Sequence, residues 1–149
     1  MNYIIGMGNV MRSDDGVGSV IIEYILENDL EDNFCALDFA GNAWGLLPLL
    51  SVETEKILII DCEQMGLKVG DFQFFSLDSI HNKNRLTVEN HESSVTQIIN
   101  LAGKTDYIIP DISIMGIEPY SMEHGQALST KISQRLADYA QQAIQFILN

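Results

Sequence analysis

The sequence predicts an α/β fold: a single domain, 1–149, in three layers (α/β/α) around a twisted, mostly parallel sheet of about five strands. Short apolar runs suited to buried strands alternate with longer stretches of helical period. The clearest run, Ile57-Leu58-Ile59-Ile60, has four successive apolar residues, which means burial on both faces, as in a central parallel strand. Successive strand-like runs also end at or near an aspartate, Asp15, Asp38 and Asp61 in turn, and so mark one rim of the sheet.

The elements follow in order. Tyr3-Ile4-Ile5 marks a first strand over 2–6. A helix over 15–28 shows Val17, Val20, Ile21, Tyr24 and Ile25 on one face, with Ser19, Glu23 and Glu27 opposite. A second strand over 33–38 ends on Asp38. The apolar stretch 43–52 is a short helix, with Trp44, Leu46, Leu47, Leu49 and Leu50 expected on the sheet and Pro48 weakening its middle. The central strand covers 56–61. The alternation of Phe72, Phe74, Phe75 and Leu77 predicts an edge strand over 71–77, with antiparallel pairing open to it. The polar segment 78–90 suits a lid or binding loop. His91 leads a helix carrying Val95, Ile98, Ile99 and Ala102, and a last core strand covers 111–116. The final helix spans 126–147, with Leu128, Ile132, Leu136, Ala140, Ala143, Ile144 and Ile147 as its buried stripe.

Composition sets outer limits. A chain of 149 residues buries roughly 70% of its unfolded surface, so its core needs no covalent staples. The net charge of −13 disfavours nucleic acid and anionic membrane as partners. No apolar run reaches the ~18 residues of a membrane span, and the N-terminus lacks the features of a signal peptide. A cytoplasmic protein is the expectation. Cys35 and Cys62 lie in separate apolar runs and read as small buried hydrophobes rather than a disulfide.

The chemistry concentrates in Gly6-Met7-Gly8-Asn9-Val10-Met11-Arg12-Ser13-Asp14-Asp15-Gly16-Val17-Gly18, a strand-to-helix loop. Such loops often cradle phosphate on free backbone N–H groups. Here Asp14 and Asp15 would repel it, and Met11 stands where a dinucleotide fingerprint needs glycine. The loop therefore suits a cation, and no nucleotide is expected. Ser13 and Asp14 also fit as helix N-caps. Asp15 is harder to explain that way, since the two residues before it already fill the role. His91 opens a helix, where the dipole disfavours the imidazolium and leaves the ring free to ligate metal. Carboxylates at Asp15, Asp38 and Asp61 with one imidazole suit a divalent transition metal such as nickel, zinc or manganese. Neither HExxH nor CxxC is present.

These motifs resemble those of the hydrogenase maturation endopeptidases. GMGNVMRSDDGVG is similar to the family's G-x-G-N-x-x-x-x-D-[DE]-x-x-G start. ILIID resembles its strand ending in Asp, NHESSVTQII its His-led helix, and GIEPYSMEHGQALS its G-[IV]-x-P-x-x-x-E-x-G-L-S loop. The likeness spans essentially the whole chain. It implies an aspartic-type endopeptidase that trims the C-terminal tail from the large-subunit precursor of a nickel–iron hydrogenase. It implies Asp15, Asp61 and His91 as ligands to nickel supplied by that precursor, and Asp38 as general base or water positioner. The turn after Asp38, Phe39-Ala40-Gly41-Asn42, departs from the family's Gly-Gly-Thr type. A monomer is expected. The alternative is a non-catalytic acidic module that docks a metal-loaded partner.

Overall fold

The computed structural model describes residues 1–77, 94–125 and 127–149. Its elements are β1 (Asn2–Met7), a 3₁₀ turn (Ser13–Gly16), α1 (Val17–Glu27), β2 (Phe34–Ala40), a second 3₁₀ segment (Ala43–Leu49), β3 (Lys56–Cys62), β4 (Phe72–Ser76), α2 (Ser94–Ala102), β5 (Asp111–Ile117), α3 (Thr130–Ser133) and α4 (Leu136–Leu148). The five strands lie in the order β2-β1-β3-β5-β4. The first four of these are mutually parallel, and β4 runs antiparallel along β5 at the edge.

This order places a switch point at β1. The chain leaves β1 for β2 on one side and returns through β3 on the other, so the connections diverge there. In open α/β sheets the crevice beyond the strand ends at such a point is where ligands sit. The β1–α1 loop and the end of β3 form that crevice here.

Burial follows the strand period. Ile4, Leu58, Ile60 and Cys62 point into one core with Val17, Ile21 and Ile25 of α1 and Tyr139, Ala140, Ala143 and Ile147 of α4. Ile5, Ile57, Ile59, Ile112 and Ile114 point into the other, beneath the second 3₁₀ segment and α2. Alternate residues of one strand thus serve opposite layers. α1 approaches β1 and β3 so closely that a Cβ on Gly18 would strike the carbonyls of Ile60 and Met7.

Three expectations are corrected. Trp44 does not pack on the sheet; it is 59% exposed. The segment is a 3₁₀ helix with three residues per turn, so Ala43 and Leu46 face inward while Trp44 falls outside that line. The final helix is not continuous from 126. It is broken at Gln134–Arg135 into α3 and α4. Ile132, Ala140, Ala143 and Ile147 are buried as expected, but the break rephases the face, and fully buried Tyr139 joins them. Its hydroxyl donates to the Gly70 carbonyl at 2.6 Å. Ser13 and Asp14 are not caps, because neither helical segment here has a side-chain cap bond. The expected lid over 78–90 lies outside the described residues.

Candidate active site at the carboxyl rim

The rim is built around Gly8. It has φ +119°, and a Cβ there would run into the Asp15 carbonyl and lie 3.4 Å from Asp61 Oδ1. Only glycine leaves this space. The absent side chain leaves room for the Asp15 carbonyl on one side and the Asp61 carboxyl on the other, and the Asp15 carboxylate lies near enough to act on Asp61 electrostatically. Asp15 Oδ2 accepts the Asn9 N–H at 3.0 Å, and Asp61 Oδ1 accepts the Cys62 N–H at 2.8 Å.

The residue just beyond β3, two after Asp61, is also acidic. Glu63 was not singled out by its sequence context, although Asp-Cys-Glu at a strand end places two carboxylates on one face. Its N–H donates to the Ile117 carbonyl at 3.0 Å. Its stem packs on Gly116, where a Cβ would lie 3.1 Å from Glu63 Cβ and Cγ.

Crowding acidic groups here perturbs them. Burial, reinforced by Glu63 and Asp15 and partly offset by the Cys62 N–H, pushes the Asp61 carboxyl up to about 8. Burial, with Asp15 and Glu118, pushes Glu63 up to about 7. Burial beside Asp61 and Asp15 likewise raises the Cys62 thiol. It stays protonated at neutral pH, which makes it a poor nucleophile.

Asp38 lies at the same rim but on the other face. Its Oδ1 accepts both the Ser19 hydroxyl at 2.7 Å and the Ala40 N–H at 2.9 Å. The strand is irregular here. Gly6 pairs with Asp38 but Met7 with Ala40, and Ala40 has φ +48°. The side chain of Asp38 is exposed and its orientation is fixed by α1.

Asp14 has a different task from its neighbour. It is 0% exposed, and it accepts N–H bonds from Tyr120 (2.9 Å), Ser121 (3.1 Å) and Ser129 (2.7 Å). These bonds keep the buried carboxylate satisfied. Ser13, at φ +54°, donates its hydroxyl to the Glu123 carbonyl at 2.8 Å instead of to the helix. Backbone bonds from Ser13 N to Gly125 O (2.7 Å), Asp14 N to Ser121 O (3.0 Å) and Gly125 N to Met11 O (2.9 Å) complete a clasp between the β1–α1 loop and the loop after β5.

The structure thus brings Asp15 and Asp61 together, adds Glu63, and sets Asp38 across the sheet. His91 lies outside the described residues. Among the described residues, no three His, Cys, Asp or Glu side chains form a set that could hold a metal ion by themselves.

The family model for HycI, hydrogenase maturation protease, matches residues 21–149. A Methanocaldococcus jannaschii protein bearing the hydrogenase maturation protease name is 23% identical over 146 residues, which is 97% of this chain and 92% of the relative. The hydrogenase maturating endopeptidase HybD from E. coli superposes with a TM-score of 0.80 at 15% identity, over 97% of this chain and 90% of that one. The [NiFe] hydrogenase maturation protease HybD from Thermococcus kodakarensis gives 0.77 at 21% identity, over 99% of both chains. At such identities the superpositions speak for the fold, while the family match covers most of the sequence.

Proposed function

The chain belongs to the hydrogenase maturation protease family, and from that premise we propose that it removes the C-terminal tail of a nickel-loaded nickel–iron hydrogenase large-subunit precursor. The observation that carries this reading is that Asp15 and Asp61 flank side-chain-free Gly8 at the switch point, near enough for the Asp15 carboxylate to act on Asp61. Two neighbouring carboxylates supply too few donors to hold an ion by themselves and suit one that arrives with ligands of its own. Nickel held by the precursor is such an ion, and it is cargo of the substrate rather than a resident cofactor. With His91 as third donor, the rim would recognise a precursor that has received its metal and ignore one that has not. Imidazole and carboxylate are both competent nickel ligands.

Hydrolysis then needs a water and a proton acceptor. Asp38 is our candidate for the acceptor: exposed, at the rim, and oriented by Ser19 and Ala40 through one oxygen. A carboxylate held in this way can position a water and take its proton as the scissile carbonyl is attacked. The proton then passes to the departing amine. Cys62, buried and protonated, takes no part. Electrostatics favour a partner that is not itself strongly acidic, since this chain carries −13. We infer a cytoplasmic monomer. No helix among the described residues is long and apolar enough to cross a membrane.

The test is a cleavage assay. The protein is incubated with nickel-loaded and nickel-free precursor, and tail release is followed by mass spectrometry. Release from the loaded form alone, lost in Asp15→Ala and Asp61→Ala, is the expected result. Binding of the loaded form without any cleavage would replace the protease reading with a docking module.

A further inference from the structure

Beside the acidic rim lies a cleft of about 380 Å³. One lip is the segment after β3, with Gln64, Gly66 and Leu67. The other is the segment after β5, from Glu118 to Met122. On both lips the cleft begins where the rim ends. Glu63 immediately precedes Gln64, and Ile117, whose carbonyl accepts the Glu63 N–H, immediately precedes Glu118. Anything bound along the cleft therefore leads directly into the carboxylate cluster.

Both lips are fastened by buried carboxylates. Glu118 is 6% exposed, and its Oε1 accepts the N–H groups of Met65 (2.8 Å) and Leu67 (2.7 Å). That joins lip to lip at the floor. Asp14 holds the second lip from behind through Tyr120 and Ser121. A buried carboxylate is tolerated when backbone donors satisfy it, and it then fixes their positions firmly. The cleft is therefore set before any ligand arrives. Against this fixed backbone the Tyr120 side chain stands 76% exposed, and Leu67 is exposed as well. The lining is more polar than apolar, with Leu67 and Tyr120 as exposed apolar surface, which suits an extended peptide that is held by its backbone and read by a side chain. The lining holds one carboxylate and no cationic side chain.

We infer that this cleft seats an extended stretch of the substrate's own polypeptide beside the scissile bond, an apolar side chain against Leu67 and Tyr120, and that Asp14 is the positioning residue that holds its outer lip. The inference rests on the protease reading above, and it adds where the chain lies and what holds the seat. Continuity with the rim favours this occupant over a free small molecule. The single wall charge, Glu118, disfavours a stretch carrying a carboxylate.

The test uses the full-length protein and a nickel-loaded large-subunit precursor. Tyr120→Ala removes an exposed side chain and leaves the N–H that Asp14 accepts, so the fold is kept. Its KM should rise roughly tenfold with kcat within about twofold, the signature of lost ground-state binding. A photo-crosslinking phenylalanine at position 120 should label the precursor's tail segment, as read by mass spectrometry. In Asp14→Asn, hydrogen exchange at the Tyr120 and Ser121 amides should quicken ahead of the β3 amides, with KM rising in step. If the wild type cuts the precursor while Tyr120→Ala keeps its KM and the label falls outside the tail, the cleft assignment fails and the protease reading stands. If the label falls on the tail but the wild type never cuts, the cleft stands and the protease reading fails. If neither label nor cleavage appears, both fail.

Discussion

Asp38 and Asp61 leave the same rim of the sheet on opposite faces. Asp38 and Ile60 both pair with Gly6, and residues in register across parallel strands point the same way. Asp38 therefore shares the α1 face with Ile60, as its bond to Ser19 shows, and Asp61, one residue on, takes the other. With β1 between them, their strands lie about 10 Å apart. One ion cannot be shared by both carboxylates, so recognition and proton transfer should separate on mutation. Asp61→Asn should abolish preference for the nickel-loaded precursor in a binding assay. Asp38→Asn should leave that binding intact and lower single-turnover cleavage by roughly 10²–10⁴-fold. Equal loss of binding in both variants would undo the division.

The acidic pair at the end of β3 predicts a dependence of stability on pH. Asp61 moves from 3.8 to about 8 and Glu63 from 4.5 to about 7. Both raised values mean that the native state binds more protons than the unfolded state between those limits. Their contribution to stability is full below pH 4 and is lost as pH rises through 7 and 8. Urea denaturation at pH 5 and pH 8 should show the wild type weaker at the higher pH. The double variant Asp61→Asn, Glu63→Gln should show a smaller difference; an unchanged slope would mean that the two carboxyls are not coupled in this way.

Ala40 holds φ +48° at the irregularity in β2, a conformation that disfavours any residue with a Cβ by about 1–2 kcal/mol. Ala40→Gly relieves this but loosens the unfolded chain, so a net gain of about 0.5–1 kcal/mol is expected. Chemical denaturation measures it directly. Activity should hold, because the Ala40 N–H that orients Asp38 is retained.

Tyr139 ties α4 to the β3–β4 connection through its bond to the Gly70 carbonyl. Arg135 donates to the same oxygen at 2.7 Å, so that carbonyl keeps a partner when the hydroxyl is removed. Tyr139→Phe should therefore lower stability by only about 1 kcal/mol. A loss several times larger in denaturant titration would show that the two donors do not substitute for one another.

What the sequence disclosed was whatever its local period encodes. Ile57–Ile60 predicted a central strand, and β3 is flanked by β1 and β5. The Phe72–Leu77 alternation predicted an antiparallel edge strand, and β4 is one. Asp14 was misleading because its partners, Tyr120, Ser121 and Ser129, are more than 100 positions away. A local window sees only an acid before a helix, which is also what a cap looks like. Trp44 was misplaced because a helix of three residues per turn moves every side chain off the α-helical phase. Glu63 was legible in principle, two residues beyond Asp61, but its burial depends on Gly116 of a strand far along the chain. The position of Asp15 and Asp61 at one rim was legible because both strand ends announce themselves locally.

The clasp around Asp14 also bears on when the protein becomes competent during its own synthesis. Its carboxylate and the loop around it are made early, yet the donors at Tyr120, Ser121 and Ser129 are among the later residues. Until those are made, a desolvated Asp14 has nothing to accept from, and the β1–α1 loop has no reason to settle into its final form. Contacts of such sequence separation also close slowly, because chain entropy must be lost first. A nascent chain can thus pair β1 with β2 and β3 while its rim is still unformed, and refolding followed by amide exchange should show Tyr120, Ser121 and Ser129 protected last.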